Sequence, residues 1–110
     1  MVERVQMLAF RILGPFEATR DGVVVEISGQ RQLAALVALL LSPNRVVPAE
    51  RIVDAVWGEQ PPATAAAALR NTVVQLRKLL GNDAIETRPA GYVLRVDPES
   101  VDVLLFEGLI

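Results

Sequence analysis

At 110 residues the chain is long enough to bury one hydrophobic core and too short for two. Its balance of 52% hydrophobic and 22% charged residues, with little low-complexity sequence, fits a compact soluble fold. It contains no cysteine and no histidine, which excludes a disulfide framework, a thiolate or imidazole metal site and any histidine-based catalytic dyad.

The longest apolar run, Leu33 to Leu41, is about half the length of a membrane span and reads as a core helix, so no membrane association is expected. The opening Met1-Val2-Glu3-Arg4 lacks the features of a signal peptide, and the expected location is cytoplasmic. The net charge of −2 is unevenly spread. Asp97, Glu99, Asp102 and Glu107 lie in the last fourteen residues, which hold no base; residues 1–96 carry eleven bases against nine acids. Between Glu59 and Asp83 there is no acid, while Arg70, Arg77 and Lys78 all fall there. A basic segment inside an acidic total is compatible with a nucleic-acid partner.

The first third reads as antiparallel strands. Leu8, Phe10 and Ile12 alternate with Ala9 and Arg11 until Gly14-Pro15 breaks the run. Phe16 and Ala18 alternate with Glu17 and Thr19, and Asp21-Gly22 is a two-residue hairpin signal. Val23, Val25 and Ile27 continue the alternation up to Ser28-Gly29.

Helices follow. Leu33, Leu36, Val37 and Leu40 form a stripe at i, i+3, i+4 and i+7, bounded by Pro43-Asn44. Arg45-Val46-Val47 is a short extended link, and Pro48 opens a second helix with Ile52 and Val56 toward the core. Trp57-Gly58 closes that helix, with Trp57 filling the core at its end. The prolines of Glu59-Gln60-Pro61-Pro62 make a stiff loop. The longest helix spans Ala63 to Leu80, with Leu69, Val73, Leu76 and Leu80 buried and Gly81-Asn82 as its stop. Its opposite face holds Thr64, Ala67, Ala68, Asn71, Val74, Gln75 and Lys78.

A last hairpin pairs Ile85–Arg88 with Tyr92–Val96 across Pro89-Ala90-Gly91; Tyr92, Leu94 and Val96 share one side, with Tyr92 a core ring. The fold class is therefore α+β: a winged helix-turn-helix with an N-terminal antiparallel sheet, three helices and a C-terminal β-hairpin wing.

A helix that enters a major groove needs small side chains where the backbone approaches the bases and hydrogen-bonding side chains farther along. Thr64, Ala67 and Ala68 meet the first need, and Asn71 and Gln75 carry amides that pair bidentately with an adenine edge. Arg70, Arg77 and Lys78 flank that strip and reach phosphates, with Arg88 near the hairpin tip reaching phosphate or the adjacent minor groove. The competing bland reading is a solvated helix face, and it is the position as third helix of a winged fold that favours DNA.

The run RQLAALVALLLSPNRVVPAERIVDAVWGEQPPATAAAALRNTVVQLRKLLG resembles the DNA-binding domain of the Streptomyces antibiotic regulatory protein family, activators with an OmpR-type winged helix. Trp57-Gly58, Pro61-Pro62, the ending Leu76, Arg77, Lys78, Leu80 and Gly81, the wing pair Gly91-Tyr92 and the opening LAFRILGPFEA carry the resemblance. It departs at Ala65 to Ala68, where hydrogen bonds to bases cannot be carried over, and at Val74, where relatives often have a polar or basic residue.

The resemblance implies an activator that binds direct repeats in double-stranded promoter DNA as a tandem homodimer. It also implies contact with RNA polymerase partly through Gly58, Glu59, Gln60, Pro61 and Pro62. The apolar tail from Val101 to Ile110 resembles the opening of the helical bacterial transcriptional activation domain that follows in this family. Residues 1–97 are thus expected to form the DNA-binding domain and 98–110 the start of the next. The alternative reading is a winged helix used only for protein–protein contact. Catalysis is not expected: three serines without histidine or cysteine supply no activated nucleophile, the carboxylates are scattered, and no phosphate loop or cofactor motif is present.

Overall fold

The computed structural model describes residues 8–11 and 16–97. The expected Gly14-Pro15 break, Ile12 and the segment 98–110 lie outside the described residues. The chain divides into two compact units, Ile27–Arg95 and a smaller one of Met1–Glu26 with Val96–Ile110.

The smaller unit contains an antiparallel sheet of β1 (Leu8–Arg11), β2 (Glu17–Arg20) and β3 (Val23–Val25), in that order. Phe10 faces Ala18 across the ladder, and Leu8, Phe10 and Ala18 are buried, as period-two alternation requires. Asp21-Gly22 forms the expected tight hairpin: Arg20 pairs with Val23, and φ is +53° at Asp21 and +83° at Gly22. Two positive φ values in succession are what a turn matched to the strand twist needs. The alternation does not extend into β3, where Val23 and Val24 are both exposed. That strand is three residues long and, among the described residues, has β2 as its one neighbour in the sheet, so little constrains its faces.

In the larger unit α1 (Gln30–Leu40), α2 (Ala49–Trp57) and α3 (Ala65–Leu80) pack on one another. A second sheet of β4 (Val47–Pro48), β6 (Gly91–Leu94) and β5 (Ile85–Arg88), in that order, joins α1 and α2 through β6. Ala35, Leu36, Leu39 and Leu40 are the buried residues of α1, whereas Leu33 and Val37 of the expected stripe are half-buried. Nine consecutive apolar residues fit several helical registers, so periodicity alone does not choose the inward face. In α2, Ile52 is buried and Val56 half-buried.

The expected stripe of α3 is correct: Leu69, Val73, Leu76 and Leu80 are buried, joined by Thr72, whose hydroxyl donates to the Ala68 carbonyl at 3.0 Å. Gly58 and Gly81 end α2 and α3 at φ +65° and +114°, each donating its N–H back into the last turn.

The segment before α2 is more than a link. Val47 pairs with Tyr92 and Pro48 with Gly91, making β6 a central strand. Tyr92, Val93 and Leu94 are therefore all buried, where a two-stranded wing would alternate. Tyr92 is the core ring the sequence suggests. Gly91 meets a steric demand: a Cβ there would lie 1.9 Å from the Val47 carbonyl oxygen. Trp57 departs from its expected core role. It is half-buried, with the Arg31 guanidinium 5.6 Å from the ring centroid and its Nε1 without a hydrogen-bond partner. A cation from α1 thus lies over the ring of the last residue of α2. Among the described residues no helix is long and apolar enough to cross a membrane.

Candidate nucleic-acid interface

The face of α3 opposite its buried stripe is open. Thr64, Ala67, Asn71, Val74, Gln75 and Lys78 are exposed, and Ala68 is half-buried with its carbonyl taken by Thr72. Ala67 is followed at one-turn intervals by Asn71 and Gln75, so a small entry leads to two amides along one line of the helix. Val74 lies exposed beside them and adds an apolar surface of the kind that meets a thymine methyl group. Thr64 sits at the N-terminal boundary of α3 with no side-chain cap, so its hydroxyl is not committed to the helix.

The four candidate phosphate ligands separate into two kinds. Arg70 and Lys78 are exposed and form no ion pair among the described residues. Arg77 is half-buried and tied to the wing, its Nε donating to the Ile85 carbonyl at 2.9 Å and its Nη2 to the Thr87 hydroxyl at 2.7 Å. Arg88, at the end of β5, is exposed but lies 3.3 Å from the Glu86 carboxylate, which also accepts from Arg95 Nε. The hydrogen bond from Arg95 holds the Glu86 carboxyl below its ordinary range, opposed by desolvation and aided by the charges of Arg95 and Arg88.

The α2–α3 loop runs from Gly58 to Thr64, every residue of it exposed, so Gly58, Glu59, Gln60, Pro61 and Pro62 form an accessible ledge ahead of α3. Among the described residues no cluster of acidic side chains is arranged to hold a metal ion. The residues missed by the sequence reading are Gln32, whose amide donates to Gln75 Oε1, and Arg95. The Gln32–Gln75 partnership leaves no local signal, since the two are 43 positions apart and meet through helix packing; Arg95 meets Glu86 across the β5–β6 hairpin.

The family described as "Transcriptional regulatory protein, C terminal" matches residues 25–94, the larger unit almost in full. The chain belongs to this family. The chain is 37% identical over 102 residues to the regulatory protein AfsR of Streptomyces griseus, covering 93% of this chain and 10% of that one. Against the regulatory protein DnrI of Streptomyces peucetius it is 33% identical, covering 93% and 42%. These two relatives are regulators of the Streptomyces antibiotic regulatory protein family, the resemblance read from Trp57-Gly58, Pro61-Pro62 and Gly91-Tyr92. Among solved structures, Mycobacterium tuberculosis EmbR in complex with a low-affinity phosphopeptide superposes with a TM-score of 0.86 at 33% identity, over 94% of this chain and 29% of that one. The DNA-binding domain of CpxR from E. coli gives 0.60 at 24% identity over 73% and 82%, a likeness of fold. The α+β winged helix-turn-helix is thus the architecture of this OmpR-type domain, which spans between a tenth and about two fifths of the AfsR, DnrI and EmbR chains.

Proposed function

We propose that the chain is the sequence-specific DNA-binding domain of a bacterial transcription activator, with α3 in the major groove and the β5–β6 hairpin against the backbone or adjacent minor groove. The observation that carries this reading is the exposed strip of α3, in which Ala67, Asn71, Val74 and Gln75 stand clear of the packed stripe between the uncommitted cations Arg70 and Lys78. Asn71 and Gln75 read base edges; Thr64, Ala67 and Ala68 let the backbone approach; Arg70, Lys78 and Arg88 contact phosphates. Arg77 orients the wing relative to α3 through Ile85 and Thr87, and its remaining donor capacity is available to phosphate.

The wider assignment extends the family resemblance read from the sequence. Two copies bind in tandem on direct repeats, and the exposed Gly58–Pro62 loop touches RNA polymerase. Residues 1–97 are the DNA-binding domain and 98–110 begin a helical activation domain. The chain works by binding, in the cytoplasm, without a cofactor.

The test begins with selection of a duplex from a random pool by this chain. Asn71→Ala and Gln75→Ala should each lower the ratio of selected-site to random-DNA affinity by about fivefold or more, since a bidentate amide–adenine pair contributes about 1–3 kcal/mol of discrimination. Lys78→Ala should weaken both affinities and leave their ratio alone. Wild-type ratios in both amide variants would show that α3 does not read bases through them.

A further inference from the structure

Gln75 is exposed on the outer strip of α3, yet its Oε1 accepts a hydrogen bond from Nε2 of Gln32 on α1. Gln32 is half-buried, and its amide lies against Gly29. A Cβ at Gly29 would fall 1.6 Å from Gln32 Oε1 and 2.5 Å from its Cδ. Gly29 has φ −93° and ψ 135°, extended backbone open to any residue, so what it supplies is room for that amide. Gly29, Gln32 and Gln75 therefore form a contiguous line from the start of α1 to the strip of α3.

An unsupported glutamine is a poor reader of bases. It has three rotatable torsions, and its amide can present oxygen or nitrogen to the same place with nearly equal ease. Pairing with an adenine edge requires one orientation, oxygen toward the exocyclic amine and nitrogen toward N7. A donor held against Oε1 fixes which end of the amide is the oxygen, and it leaves a second lone pair and both Nε2 hydrogens for the base. We propose that Gln32, seated by Gly29, is a positioning residue that presets the Gln75 amide for base reading, so that α1 sets DNA specificity without touching DNA. The inference rests on Gln75 reading a base, as argued above.

The experiment is a double-mutant cycle on the duplex selected by this chain, read as the selected-to-random affinity ratio alongside the thermal unfolding midpoint. Gln32→Met keeps the length of the side chain and removes the donor. It should lower the ratio about two- to tenfold, the cost of immobilising one rotamer-rich side chain on binding. Random-DNA affinity and the midpoint should not move. In a Gln75→Ala background the same change should have no further effect. Gly29→Ala, which displaces the Gln32 amide from its seat, should reproduce the Gln32→Met result and add nothing to it.

If Gln75→Ala lowers the ratio but Gln32→Met does not, base reading stands and the positioning role is overturned. Additive losses, or a midpoint that falls with the ratio in both backgrounds, would overturn it too, as an independent or purely structural part for Gln32. If Gln75→Ala leaves the ratio unchanged, base reading by Gln75 fails and the inference falls with it.

Discussion

At the scale of single residues, the same side-chain type does different work according to what it touches. Arg77 and Lys78 are neighbours in sequence, but Arg77 turns back to bond the wing while Lys78 stays in solvent. Hydrogen bonds from a charged donor contribute about 1.5–3 kcal/mol, less where solvent reaches them. Arg77→Ala should therefore reduce unfolding free energy by about 1–2 kcal/mol in denaturant titration, and Lys78→Ala should leave it within about 0.5 kcal/mol of wild type.

Glu86 works against the proposed wing contact, because its carboxylate holds Arg88 and Arg95. Glu86→Gln should release both guanidiniums, raise affinity for random DNA and steepen its salt dependence. The lowered pKa of Glu86 also fixes the sign of a pH effect. The ionised form is favoured in the folded state, so its contribution is complete above the unfolded-state carboxylate pKa and is lost as pH falls through the lower folded value. The acid limb of a stability–pH curve should be shallower in Glu86→Gln than in wild type.

At the scale of elements, how much could be read from the sequence depended on how local the determining signal was. The stripe of α3 and the Asp21-Gly22 hairpin were legible because helical periodicity and turn chemistry act within a few residues. The inward face of α1 was not, since an unbroken apolar run offers no contrast. The pairing of β4 with β6 was also hidden, because a two-residue strand has no pattern of its own. At the interface, the exposed positions of α3 followed from the helical wheel. The engagement of Arg77 by the wing and of Gln75 by Gln32 depends on tertiary packing that no short window encodes.

The hidden β4–β6 pairing yields a sharp prediction at Gly91. A methyl group there would collide with the Val47 carbonyl rather than with a side chain that can swing away. Gly91→Ala should destabilise the domain by about 1–3 kcal/mol, as other forced insertions into packed regions do. Gly22→Ala meets no atom within 4 Å, so its cost should come from its positive φ alone. Chemical denaturation of the two variants side by side checks this.

At the scale of the whole molecule, the net charge of −2 is compatible with DNA binding because the acids and the exposed cations of α3 occupy different segments. If two copies sit in tandem, the direct repeats should be spaced by about one helical turn, so inserting half a turn between them should abolish cooperative binding.

The most direct test of the central claim is affinity for the selected duplex and for random DNA across a salt series. With Arg70, Lys78 and Arg88 as the main phosphate ligands, each protomer should neutralise about two to four phosphates, and log affinity should fall with log salt at a slope of about −2 to −4 per protomer. The selected-duplex line should run well above the random line throughout the series, because base contacts add discrimination that salt does not remove. Coincident lines would contradict base reading by α3, and flat ones would mark the domain as a protein-interaction module.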